Sequence, residues 1–228
     1  MKKSLFILTI LPTIVYAQDS FYTADPNKAP KGIIIVPAAK ISNPKNIMKN
    51  ISEQKSRGYV YNIHNNAFAM INDNKNPDIN NIDDPKDTHM KSDLTKIRLG
   101  FNFKPVSSIN AIGYAVGGAY IENAGWTSIS TFFNDKEIGS CEFGVNSMKL
   151  SHGAIRIAQE DVRHDVNNKI TTVYVEGAPK LGFIYYVMWN DNDYNYSLQC
   201  ANTIYDSTIT TKMISLAKNI DKEGNGLN

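Results

Sequence analysis

Apolar residues follow two regimes along the chain. From Leu94 onward they come in short alternating runs separated by turn sequences, the pattern of half-buried strands. Trp126 to Phe133 and Ile138 to Val145 flank Asn134-Asp135-Lys136. Val162 to Val166 and Ile170 to Glu176 flank Asn167-Asn168, residues that tolerate the left-handed conformation of a tight hairpin. Leu181 to Trp189 and Tyr194 to Ile204 flank Asp191-Asn192. Leu94 to Phe103 and Met148 to Ala158 are further extended runs. Short loops join antiparallel neighbours, so this region predicts an antiparallel meander. Two stretches show helical spacing instead. One is 106–122, with Ile109, Ile112, Val116, Ala119 and Tyr120. The other closes the chain: Ile209, Met213, Leu216, Ala217 and Ile220 form one apolar face behind a cap at Asp206 or Ser207.

Upstream the pattern is thinner. Gly32 to Pro37 reads as a strand, and Asn43-Pro44 opens a helix reaching Arg57. Gly58 to Ile71 reads as a strand pair about Asn65-Asn66. Residues 72–93 carry only Ile79, Ile82 and Met90 as sizeable apolar side chains, too few to offset the entropy of ordering, and are expected to be a flexible linker. The expected fold class is α+β: an antiparallel meander with the C-terminal helix, and a second helix near 106–122, packed on the sheet. The expected layout is a signal peptide at 1–17, a small N-terminal α/β segment at 18–71, the linker at 72–93, the α+β domain at 94–222 and a disordered tail at 223–228.

Charge and leader chemistry set the compartment. The net charge of +2 resides in Lys2 and Lys3; residues 1–17 hold no acid, so the remainder carries 22 basic and 22 acidic residues. Such a neutral chain has no electrostatic case for nucleic acid. Lys2 and Lys3, the apolar run Leu5 to Val15 and the small residues of Val15-Tyr16-Ala17 read as a secretory leader cut before Gln18. The run is too short to span a bilayer, which takes about 20 residues. The expected location is periplasmic or secreted, with no transmembrane span after cleavage. In an oxidising compartment the two cysteines, Cys141 and Cys200, are expected to pair, closing a loop worth roughly 4 kcal/mol.

Candidate chemistry is sparse. No histidine has an i+4 partner on a helix, so no zinc signature exists, and no metal site or cofactor is expected. On a strand, Ser151 and His152 point to opposite faces, as do His164 and Asp165. Asp191-x-Asp193-x-Asn195 begins like a calcium loop, but Tyr196 stands where glycine is needed and Asn202 where the bidentate acid is needed. No phosphate-binding glycine pattern occurs. Aromatics concentrate in the last hairpins: Tyr185, Tyr186, Trp189, Tyr194 and Tyr196 divide between two sheet faces, one a possible binding surface.

The block from Gly125-Trp126-Thr127 through Cys141-Glu142, Thr171 (TTVYVEG), Phe183 to Asp191 (FIYYVMWND) and Leu198-Gln199-Cys200-Ala201-Asn202 resembles small exported proteins of unknown function from intracellular gammaproteobacteria. The resemblance covers roughly residues 105–221 and implies an envelope or secreted location, with no assigned activity. By fold analogy the meander and closing helix are similar to PsbP-like α/β sandwiches, mostly non-catalytic accessory proteins. The expected function is therefore a non-enzymatic exported protein that binds a protein or small molecule. The alternatives are a secreted hydrolase assembled from His152, His164 and Asp161, and a host- or envelope-contact factor using the tyrosine-rich face.

Overall fold

The computed structural model describes residues 32–227. The leader and the segment up to residue 31 lie outside the described residues. Strand β1, Gly32–Val36, is followed by helix α1, Pro44–Arg57. Pro44 supplies the preset first turn, and left-handed Gly58 (φ 84°) closes the helix by donating its amide to Gln54 O. Asn43 precedes it in a left-handed conformation and makes no side-chain cap. The expected strand pair at 58–71 is only half strand: β2, Val60–Tyr61, is followed by helix α2, Ala67–Lys75. Asn65 Oδ1 accepts the Ala67 amide and turns the chain into that helix.

The alternating runs then form the sheet: β3 (Ala111–Ile121), β4 (Gly125–Asp135), β5 (Gly139–Ser147), and, after the short helix α3 (Met148–Ser151) and strand β6 (Ala154–Ala158), β7 (Thr171–Ala178), β8 (Gly182–Asn190) and β9 (Tyr194–Asn202). The closing helix α4 is Ser207–Lys222, capped by the Asp206 carboxylate on the Thr208 amide. Spatial order is β2-β7-β8-β9-β5-β4-β3. Two three-stranded meanders thus meet along an antiparallel β5–β9 seam, while β6 leaves the sheet to pair in parallel with β1. Only the short β2–β7 pairing in the large sheet is parallel.

Further expectations are corrected: the extended run Met148 to Ala158 is helix α3 and then β6, and Val162 to Val166 meets Thr171 through a single bridge at Arg163. The helix near 106–122 is strand β3. Register shifts between Ala111 and Gly113 and between Gly117 and Tyr120 break the period of two, so apolar residues fall at pseudo-helical spacing. Gly118 sits in the second shift at φ 73°, a conformation that also argues against a helix. The run at 94–103 is a 3₁₀ turn, Leu94–Lys96, followed by isolated bridges, because Asp93 bonds the Thr95 amide and tightens the chain locally. Residues 72–93 are tied to the sheet: Asn74 Nδ2 donates to Phe133 O and Cys141 O, and Lys91 exchanges backbone bonds with Tyr114. Polar anchors do there what composition reads as unattainable for apolar ones. The stretch from 223 packs as well. Asn225 is buried and accepts Trp189 Nε1, and Lys104 donates its amide to Gly226 O.

The core lies between α4 and one face of the sheet. Ile209, Met213, Ala217 and Ile220 cover Phe143, Val187, Trp189, Tyr196 and Leu198. Each large side chain fully buried contributes on the order of 1.5–3 kcal/mol. Cys141 and Cys200 stand directly opposite across the β5–β9 seam and are disulfide-bonded, with Cα atoms 4.1 Å apart, just below the usual span of about 4.4–6.8 Å.

Candidate functional site

The second face of the sheet is the chemically interesting one. Register aligns its residues into three parallel rows, because directly opposed residues share a face and alternate residues repeat it. The central row is small: Ala115, Ser130, Gly144, Ser197, Met188 and Thr172. One flank reads Gly117, Ser128, Asn146, Asn195 and Asn190. The other reads Gly113, Phe132, Glu142, Gln199, Tyr186 and Tyr174. The central row is small from β3 to β9 and ends on Met188 and Thr172, with polar and aromatic side chains beside it on β5, β8 and β9.

Two covers sit on this face. Helix α2 packs Ala67 and Met70 on Ile184, Tyr186 and Ala201. Strand β6 and helix α1 lean over the β7–β8–β9 end through Ala158, Ile41, Ile47 and Ile51. Between α1, β6 and the sheet lies a cavity of about 160 Å³. Its floor is Thr172, Met188, Asn190 and Asn195, and Ile47, Ile51, Ile155 and Ile157 wall it. Asn195 Nδ2 donates to Asn190 Oδ1 at 2.8 Å. Thr172 lines the same cavity, while its Oγ1 is turned away from accessible space and has no hydrogen-bond partner among the described residues. Asp161 reaches the cavity edge, its carboxyl pushed up by burial and by the neighbouring Glu160.

Glu142 lies in the flanking row, on β5 between Phe132 and Gln199. Ser130 Oγ donates to its Oε1 and Gln199 Nε2 to its Oε2, each at 2.5 Å. Burial pushes this carboxyl up, against the pull of those two bonds.

The tyrosine-rich surface is corrected to core. Tyr185, Tyr186, Trp189 and Tyr196 are buried, and Tyr194 is half-buried. Strand β8 is covered on both faces, by α4 on one and α2 on the other, which the near-continuous apolar run FIYYVMW already encodes. The hydroxyls are spent internally. Tyr185 Oη accepts the Asp206 amide and donates to Ile204 O, and burial pushes its pKa up to about 12. Tyr196 Oη donates to Asp191 Oδ2, whose other oxygen accepts the Asp193 and Tyr194 amides. Asp191 is thereby committed to a hairpin tip.

His152 is the left-handed residue closing α3, Asp161 ends a 3₁₀ turn, and His164 lies in the loop before Asn167-Asn168. No hydrogen bond or ion pair joins any two of them among the described residues. Sequence reasoning missed Glu142, Thr172, Asn190, Asn195 and Gln199. The available signal was that β4, β5 and β9 each alternate apolar with polar positions, S-x-S, E-x-G-x-N and N-x-S-x-Q. Comparison with protein-family models, with curated proteins and with solved structures finds no match. No helix among the described residues is long and apolar enough to cross a membrane.

Proposed function

We propose that the chain is an exported, non-enzymatic binding protein holding a small, largely apolar ligand in the cavity between α1, β6 and the sheet. The cavity of about 160 Å³ between α1, β6 and the sheet carries this reading, being large enough for a small apolar body. Isoleucines on the walls and asparagines on the floor are the usual division of labour in a ligand pocket, apolar bulk with a few orienting polar groups. Export is supported by the leader chemistry at 1–17 and by the cysteine pair.

The test is organic extraction of the protein purified from its native compartment, read by mass spectrometry. A stoichiometric small molecule is expected from the wild type and not from Met188→Trp, which fills the cavity floor. An empty wild-type protein that also gains no thermal stability from any member of a small-molecule library would overturn the reading.

A further inference from the structure

Resting on that reading of the cavity, we propose that its ligand is a short apolar peptide, one residue of which pairs in extended form with the open edge of β7 at Val173. Three consecutive residues of β7, Thr172, Val173 and Tyr174, line the cavity. Successive side chains on a strand point to opposite faces. The Val173 side chain packs against the core on the α4 side, whereas Thr172 shares the other face with Met188 and Ser197. What Val173 shows the cavity is therefore its main chain. Strand β6 does likewise: Ile155, Arg156, Ile157 and Ala158 all line the cavity and no residue of β1 does, so β6 presents the edge that β1 leaves unpaired. The cavity thus lies between two strand edges.

The bonds along β7 fix the direction of its amides and carbonyls. Thr171 exchanges two backbone bonds with Arg163, Val175 donates its amide to Gln54 Oε1 at 3.0 Å, and Gly177 O accepts the Asn62 amide. All three contacts lie on the side away from β8, and alternation places the Val173 amide and carbonyl on that side too. Neither is bonded there by another of the described residues. The outer ladder is thus occupied at Thr171 by Arg163 and from Glu176 by β2, and the gap between them offers one donor and one acceptor at Val173. One residue of an extended chain supplies the matching pair, and peptides bind open sheet edges in this way. Gln54 shows that the edge takes an amide, since its side-chain carboxamide stands in for a peptide group at Val175. Ile47, Ile51, Ile155 and Ile157 receive the apolar side chain. Arg156 and Asp161 bring one charge of each sign, so the lining favours a neutral ligand over an ion of either sign.

Three probes decide the matter: N-acetyl-leucine methylamide, its analogue methylated on both amide nitrogens, and 4-methylpentan-1-ol, titrated into the wild type with amide and methyl NMR detection. The first is expected to bind at least tenfold more tightly than either of the others. At saturation it should also slow hydrogen exchange of the Val173 amide at least tenfold. Val173→Pro removes the outward amide without removing a bond to β8, and should bring the first probe to within threefold of its methylated analogue. Should the variant fail to fold, the wild-type ratio and the Val173 exchange decide alone. Equal affinity for all three probes, or tight binding of the first without protection of Val173, would overturn the edge pairing while leaving the cavity reading in place. Absence of any shift at Met188 and Ile157 with all three probes would remove both.

Discussion

Lys91 is 1% exposed, and its ammonium is folded into its own loop. Nζ donates to Asp87 Oδ2 at 2.6 Å, Ile82 O at 3.0 Å and Asn80 O at 3.3 Å. A further hydrogen bond joins His89 Nδ1 to the same Asp87 carboxylate. These contacts make Lys91 an internal cation around which 80–91 is wound. Lys91→Met should lower stability by about 3–5 kcal/mol, the usual cost of leaving the other half of a buried pair alone, measurable by urea unfolding. Burial would raise the Asp87 carboxyl, but the Lys91 and His89 bonds outweigh it and bring it down to about 2. A carboxyl held below its ordinary 3.8 stabilises the fold above 3.8 and ceases to do so as pH falls through 2. The protection factor of the Asn80 amide, which bonds Met90 O, should hold from neutral pH to 3.8 and fall between there and 2. Lys91→Met should lose most of that dependence.

Among elements, the β5–β9 seam is the decisive pairing. Cys141→Ala with Cys200→Ala should cost roughly 4 kcal/mol and lower the melting temperature, since the bridged loop spans 59 residues. Intact-mass analysis of protein from an oxidising compartment should find no alkylatable thiol. At the last helix, Asp206→Ala should cost about 1 kcal/mol by removing the cap on Thr208. The turns were legible because their chemistry is local: Asn167 and Asn168 both adopt the left-handed conformation their identity allows, although the expected strand Val162 to Val166 before them is reduced to one bridge, Arg163 to Thr171. The strand β3 was misread because two bulges rewrite its period, and only the register against β4 reveals them. Helix α4 was legible residue by residue through its stripe, with Leu216 at the half-buried margin. The site was not legible. Alternation places Glu142, Gly144 and Asn146 on one face, yet which face is open depends on where α2 and the β1–β6 pair dock, and those contacts are long-range.

At the scale of the whole molecule, the segment 72–93 is anchored at both ends and exposed between them. Asn74 and Lys91 hold its ends, while residues 81–86 face solvent. A protease should therefore nick within 81–86 without releasing a fragment. Denaturing gels should show two pieces and gel filtration one particle, whereas separation of the pieces would show that the anchors do not hold. The same covalent topology governs how the molecule answers to force. Strands β7 and β8, the excursion to β6 and the loops between them all lie inside the loop that Cys141 and Cys200 close. Pulled from its ends in a single-molecule trap, the oxidised protein should yield only the chain outside that loop. Some 59 residues stay shielded from tension, a deficit of about 200 Å of contour length at roughly 3.4 Å per residue. Added reductant should return that hidden length, so the seam acts as a mechanical clasp whose release depends on the redox state of the surroundings.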